Sequence, residues 1–464
     1  MEMYLSINPA SIIGFDLNEV DNFQMLLDTY NSHISANTKK DKYYEGKISV
    51  NDVNLGIALP EGLRKLEIGC AWGAKTVDVL AARSMFDGYV DENGESIDLL
   101  TQISMDNDLI AEYIKACRDE LKYGCTFATL SADEKIKCKI RFHSPQTAAA
   151  LWDGEKGSIS RGFCIVDTAP FNDDSNWVPS LINYYTDDAI WIIARSVDSI
   201  WRAVKRPHKM GRPLMEPLIW NATSNKPFGR SRIKEPVRRL IDGYVRTIAN
   251  ATIGLEFATS PQKYLLGVTD EQFNAVVNDK FRQYVGSIIA STTNPETGEK
   301  PSFGQLQQGT LSPHVEMLRM LATQFSAATG LTVSDTGVVN DANPTSSEAI
   351  MAQSQTLIGM AEQLNTGNGY ALRTIGLMAL AIAKNVSFDG LTDEEKAIMA
   401  HFKNPAMPSV SSTADAALKI ASARQGFALT DTFLEMIGFD QADIRRIKNQ
   451  EVRARGLAVL EEIE

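Results

Sequence analysis

The chain has 464 residues, 44% of them hydrophobic and 22% charged. That composition suits a folded protein with a sizeable core, divided by length into about two to four domains. A net charge of −12 argues against a broad basic face that would grip nucleic acid, and Cys70, Cys117, Cys125, Cys138 and Cys164 lack the CxxC spacing of a zinc site, so they read as buried, reduced thiols.

The N-terminal Met1-Glu2-Met3-Tyr4 lacks the basic and apolar stretches of a secretion signal. Residues 1–60 read as polar turns mixed with short apolar segments. From Leu63 to Arg83 the pattern is helical around Trp72, Thr76, Val79 and Leu80. A second amphipathic helix is expected over Asn107–Lys122, with Leu109, Ile110, Tyr113, Ile114, Cys117 and Leu121 at helical spacing and Gly124 as its stop.

Alternation then takes over. Lys135–Phe142 has strict period two, the mark of a strand with one buried face. Further strands are expected at Gly162–Asp167 and Ala189–Ala194, and the Pro-, Gly- and Asn-rich run Pro207–Gly229 closes an α+β body.

Two long helical patterns follow, Arg232–Thr252 and Ser312–Gly330. The first carries Val237, Leu240, Ile241, Tyr244, Val245 and Ile248 on one face, with its regular part starting near Pro236. The second carries Val315, Leu318, Leu321, Ala322 and Phe325, with Ser312 as cap and Gly330 as stop. The insert between them reads as a small α/β module: a helix near Asp270–Lys280 capped by Thr269, a strand at Tyr284–Ser291, a turn at Asn294–Gly298 and a strand at Ser302–Gln307.

An acidic, glycine-containing loop, Leu331–Asn343, leads to Thr345-Ser346-Ser347-Glu348, which matches a capping box. The long helix behind it is expected to break near Gly367 and Gly369 and resume to Lys384. Its longest apolar run, Leu377–Ala383, is far too short for a bilayer. The chain is helical again from Thr413, ending in the charged stretch Asp443–Glu464.

Glu67-Ile68-Gly69-Cys70-Ala71-Trp72-Gly73 resembles the glycine-rich turn of S-adenosylmethionine-dependent methyltransferases. Against that reading, Ala71 replaces the middle glycine and no succession of βα units follows. There is no GxSxG elbow, phosphate-binding GxxxxGK[ST] loop or HExxH helix. The basic set Arg230, Arg232, Lys234, Arg238 and Arg239 offers either a face for phosphate or a solvated, ion-paired helix surface.

The order of several short motifs resembles the portal proteins of long-tailed bacteriophages of Gram-positive hosts. These are Tyr43-Tyr44-Glu45-Gly46, then Trp72 leading into Val77-Asp78-Val79-Leu80-Ala81-Ala82-Arg83, then Gly211-Arg212-Pro213, Trp220-Asn221 and Phe228-Gly229-Arg230-Ser231. Ala71 stands where the family commonly has asparagine.

The resemblance implies an α+β portal-type protomer assembled in a ring of about twelve. Residues 1–229 and 347–410 would form an α/β wing containing the kinked long helix, 230–257 and 311–332 a two-helix stem, 258–310 a small α/β clip, and 411–464 a helical crown. The stem's basic face would be the Arg230–Arg239 set. Residues 333–346 would form a tunnel loop, with Val333, Ser334, Asp335, Thr336, Gly337, Val338, Val339, Asn340, Asp341 and Asn343 facing the channel. Thr269, Asp270, Glu271, Asn294 and Glu296 of the clip would dock a motor or adaptor.

The function so implied is passage of double-stranded DNA through a capsid vertex during packaging and ejection, without catalysis or cofactor. The partners implied are the terminase large subunit, a head-tail adaptor, the major capsid protein and scaffolding proteins. The place implied is the virion, with assembly in the host cytoplasm and no membrane. A methyltransferase and a non-portal self-assembling scaffold are the alternatives.

Overall fold

The computed structural model describes residues 3–53, 67–170, 177–196, 198–259, 263–267, 298, 300, 302–305, 310–337, 347–406, 410–424, 426–439 and 441–461. It opens with a long helix, α1 (Val20–Tyr44), where the sequence suggests turns. Its buried residues Phe23, Leu26, Leu27, Tyr30, Ile34 and Asn37 do recur at three- and four-residue spacing, as one helical face requires. Two short strands, β1 (Lys47–Ser49) and β2 (Glu67–Gly69), pair with each other, and α2 (Trp72–Ala81) begins only after them. The helix expected from Leu63 is therefore shorter and starts at Trp72.

Next come β3 (Phe86–Val90), α3 (Asp98–Asp106) and α4 (Leu109–Tyr123). The expected stop of α4 is present: Gly124 takes φ 115°, and its N–H bonds the carbonyl of Glu120. Strands β4 (Cys125–Asp133), β5 (Lys137–His143), β6 (Ala148–Asp153), β7 (Ser158–Pro170), β8 (Trp177–Tyr185), β9 (Ala189–Arg195), β10 (Trp201–Pro207) and β11 (Met215–Ile219) follow. In β5, Cys138 and Ile140 are buried between exposed lysines and Arg141, as the alternation predicts.

Helix α5 (Glu235–Thr259) begins beside Pro236, as expected. After it come β12 (Lys263–Leu266), β13 (Ser302–Gln305), α6 (Ser312–Thr329) and α7 (Ser347–Lys384). Helix α7 is continuous over 38 residues, so the break expected at Gly367 and Gly369 does not occur. The glycine penalty there is small beside the packing of a helix whose Leu364, Asn368, Leu372, Ile375 and Met378 are all buried. The last elements are α8 (Asp393–Lys396), β14 (Met399–Phe402), α9 (Val410–Ala423), α10 (Asp431–Ile437) and α11 (Gln441–Glu461).

The chain divides into two compact units. The larger contains residues 1–47, 71–238 and 325–464. It holds a five-stranded antiparallel sheet in the order β10-β9-β8-β7-β6 and a three-stranded sheet β11-β4-β5, with β14 pairing β3. Helix α1 lays Phe23, Leu26, Leu27, Tyr30 and Ile34 against Phe163, Ile182, Tyr184, Trp191 and Ile193 of the first sheet. Its start is fixed by Glu19, whose carboxylate accepts both Nε and Nη2 of Arg161 at 3.1 and 3.2 Å. All five cysteines are free and buried.

The smaller unit contains residues 48–70 and 239–324. Here α5 and α6 pack where Gly243 meets Leu321: an added Cβ at 243 would stand 3.1 Å from the leucine's Cδ2. Ile241, Val245 and Ala249 of α5 and Leu321 and Ala322 of α6 are buried, while Val315, expected in the apolar stripe, is 46% exposed. Strands β12 and β13 pair antiparallel from Lys263↔Gln305 to Leu266↔Ser302, closing the insert between the two helices. The expected insert helix at Asp270–Lys280 and strand at Tyr284–Ser291 lie outside the described residues, as does the capping residue Thr345.

Candidate functional site: the loop anchor and the basic cavity

Helix α6 ends at Thr329 because Gly330 takes φ +73°, where a Cβ would come within 2.3 Å of the Met360 methyl carbon. The chain then turns at once into a short 3-10 turn, Ser334–Thr336. The Asp335 carboxylate builds that turn by accepting the Thr332 N–H at 2.9 Å and its hydroxyl at 2.8 Å. Thr336 is buried, and its carbonyl accepts the indole N–H of Trp72 at 3.1 Å. The Trp72 ring stacks on Phe325 with centroids 4.6 Å apart. The first part of the expected tunnel loop is thus tied to α2 and to the last turns of α6. Val333 is half-buried, and Ser334 and Gly337 are exposed. Val338, Val339, Asn340, Asp341 and Asn343 lie outside the described residues.

Arg232 sits in the same region and overturns one expectation. It is 7% exposed and cannot belong to a basic face. Its Nε donates to the Thr76 carbonyl of α2 at 2.6 Å, its Nη2 to the Thr329 carbonyl at 2.7 Å, and its Nη1 to the Met360 sulfur at 3.4 Å. The Trp220 ring lies 5.8 Å from the guanidinium carbon. Burial pulls its pKa down to about 10, still above neutral, so the charge persists and is met by carbonyl dipoles. Thr329 is the last residue of α6, so its carbonyl lies at the negative end of that helix. One fixed fork thereby clamps the α6 terminus to α2 and α7.

The other members of the basic set divide. Arg230 and Lys234 are exposed. Arg238 is half-buried, donating from Nη1 to the Ile233 carbonyl at 2.8 Å. All three line a cavity of about 550 Å³ together with His33, Lys40 and Lys226. Arg239 is exposed and lies in the smaller unit. The sequence offered no sign that Lys40 and His33, from α1, would join this cluster. The proposed clip residues Thr269, Asp270, Glu271, Asn294 and Glu296 lie outside the described residues.

A second buried group joins α4 to α7. The Asn368 amide donates to Glu120 Oε2 at 2.7 Å and to the Tyr113 hydroxyl at 3.0 Å, and that hydroxyl lies 2.6 Å from Ser84 Oγ. Burial pushes the Glu120 carboxyl up to about 8. No cluster of metal-binding side chains exists among the described residues. No helix there is long and apolar enough to cross a membrane.

The family model for phage portal proteins of the SPP1 Gp6-like type matches residues 23–456. The chain belongs to that portal family. This makes it a virion component with a portal function. The methyltransferase and free-scaffold readings fall away: in this portal protein the strand before Trp72, β2, pairs with β1 in a two-stranded sheet. No curated protein matches the chain. Among solved structures it is similar to a chain from the neck of a native GTA particle computed with C12 symmetry, at 12% identity and a TM-score of 0.43, over 79% of this chain and 89% of that one. It is also similar to one from the neck of an empty GTA particle computed with C6 symmetry, at 12% identity and a TM-score of 0.45, over 76% and 86%.

Proposed function

We infer that copies of this chain close head to tail into a ring of about twelve, through whose axis double-stranded DNA passes during packaging and ejection. Membership of the portal family over residues 23–456 carries this reading. The paired helices α5 and α6, with the insert closed by β12 and β13, supply a stem-like unit that supports it. Residues 333–346 act as the tunnel loop and 258–310 as the clip, where the terminase large subunit docks first and head-tail adaptors follow. The ring nucleates procapsid assembly with scaffolding and major capsid proteins in the host cytoplasm. It performs no chemistry; the net charge of −12 per copy gives the ring an anionic surface that does not hold DNA. Static light scattering and negative-stain microscopy of the purified chain test this: closed rings with an axial hole are expected. A monomer or dimer at every salt concentration would overturn it.

A further inference from the structure

In an acidic chain, one cavity inverts the charge. Its wall carries Lys40, Lys226, Arg230, Lys234 and Arg238 against a single carboxylate, Glu235. The cations crowd one another. Burial, then Lys40 and Lys226, hold the His33 pKa below its usual value. Lys40 is itself drawn inward, bonding Asn37 Oδ1 and the Tyr123 carbonyl at 3.0 Å each. Much of the remaining wall is apolar, with Tyr30, Phe127, Phe228 and Ala148–Ala150, and Thr29, Asn37 and Ser231 add polar groups. A recess of about 550 Å³ is too small to admit a duplex, and its apolar wall offers phosphates nothing. Cations around an apolar wall suit a protein segment that brings carboxylates and an apolar side chain together.

This chain has such a segment. Strand β7 pairs β6 only through Ser158–Cys164, and β8 pairs β9 only through Leu181–Tyr185. Beyond those limits the rungs Thr168↔Pro179, Ala169↔Val178 and Pro170↔Trp177 join β7 and β8 to each other alone among the described residues. This two-stranded arm leaves Trp177 56% and Val166 47% exposed, with Asp167 exposed between β-bulges. In sequence, Phe171-Asn172-Asp173-Asp174-Ser175-Asn176 joins its strands. A two-stranded ribbon is marginal in water on its own and gains most from a surface that covers it.

We propose that the β7–β8 arm of one copy seats in the basic cavity of a second copy, its carboxylates on the lysines and arginines and its aromatic residue on the apolar wall. This deepens the ring assembly inferred above and rests on it. A head-to-tail contact of this kind uses two different patches per copy and therefore propagates around a closed ring.

Charge exchange tests it. Lys226→Glu with Lys234→Glu reverses two exposed cavity positions, and Asp173→Lys with Asp174→Lys reverses the arm. Each pair alone is expected to lower the assembled fraction in sedimentation velocity at least fivefold, with an unchanged melting curve for the monomer. All four together should restore assembly to within twofold of wild type. Pairs without effect, or a quadruple variant that stays dissociated, would overturn the proposal.

An independent arm pairs Lys226→Cys with Asp173→Cys, since the five native thiols are buried. Oxidation should give intermolecular ladders; an intramolecular bond or none would overturn the proposal. Cavity variants that assemble normally but retain less DNA would assign the cavity to phosphate and overturn it as well. If the wild-type chain never assembles, the ring reading itself fails, and the cysteine pair still reports on the contact between two copies.

Discussion

The Asn368 side-chain amide donates to Glu120 Oε2 across 2.7 Å at a place where both side chains are fully buried. Glu120 Oε1 and Asn368 Oδ1 are both left without a partner. A proton on the carboxyl turns Oε1 from an unmet acceptor into a donor. This fits the carboxyl being pushed up to about 8 by burial. The join between α4 and α7 is thus a neutral acid on an amide.

Stability should therefore fall as pH rises. The unfolded chain loses the Glu120 proton near its ordinary value of 4.5, whereas the folded chain keeps it to about 8. Between those limits the unfolded state binds fewer protons, so each pH unit costs at most about 1.4 kcal/mol, levelling off above the upper limit. Asp119, raised to about 6, and Glu216, raised to about 7, add to the slope in the same window. Glu120→Gln offers both a donor and an acceptor to Asn368 without a titration. Urea midpoints against pH should show the variant gaining on wild type steadily from pH 5 to 8; parallel curves would contradict the neutral carboxyl.

Arg232 predicts a different kind of loss. Arg232→Lys keeps the charge but cannot reach the Thr76 carbonyl, the Thr329 carbonyl and the Met360 sulfur with one ammonium. Arg232→Ala leaves both carbonyls unmet in a buried site. Charge-assisted bonds contribute about 1.5–3 kcal/mol each, so the lysine should cost about 2 kcal/mol and the alanine about 4. Equal midpoints for wild type and the lysine variant in urea unfolding would contradict the clamp.

How much of this was legible depends on range. The alternation of β5 and the spacing of α4 are local, and both elements lie within a few residues of where periodicity puts them. Helix α1 has the same spacing on its buried face, but Asn37 interrupts it and three lysines crowd Lys39–Lys42, so the run reads as polar. Local propensity also misleads in α7, where Gly367 and Gly369 flank the buried Asn368 without breaking the helix. Arg232 shows the limit most clearly. Its neighbours in sequence are basic and exposed, whereas its partners come from residues 76, 329 and 360. Nothing local separates it from Arg230. The basic character of Arg230–Arg238 was readable; that α1 would complete a cavity with His33 and Lys40 was not.

Trp72 holds the loop after α6 by two separable contacts, a stack on Phe325 and a hydrogen bond to the Thr336 carbonyl. Trp72→Phe keeps an aromatic stack and removes the bond, for about 1 kcal/mol. Trp72→Ala removes both and costs about 3–5 kcal/mol. Hydrogen exchange should separate them. In the phenylalanine variant the amides of Asp335–Gly337 should exchange faster while those of α2 are unchanged. Unchanged exchange at Thr336 and Gly337 would show that the indole bond does not hold the turn.

The charge of the loop after α6 needs two substitutions read separately, because its two aspartates differ. Asp335 is committed to the Thr332 N–H and hydroxyl, so Asp335→Lys would dismantle the 3-10 turn as well as reverse a charge. Asp335→Asn keeps an acceptor for both donors and removes only the charge. Asp341→Lys lies further along the loop and reverses a charge outright. In a ring of about twelve it adds about two dozen units of positive charge around the DNA path. Phosphate contacts made by those lysines release counterions and weaken steeply with salt. Asp341→Lys should give intact rings and procapsids that package slowly at low salt and recover as salt rises, while Asp335→Asn should package nearly as wild type. If Asp341→Lys packages at the wild-type rate at low salt, the loop does not meet the DNA, and the tunnel-loop role of residues 333–346 fails.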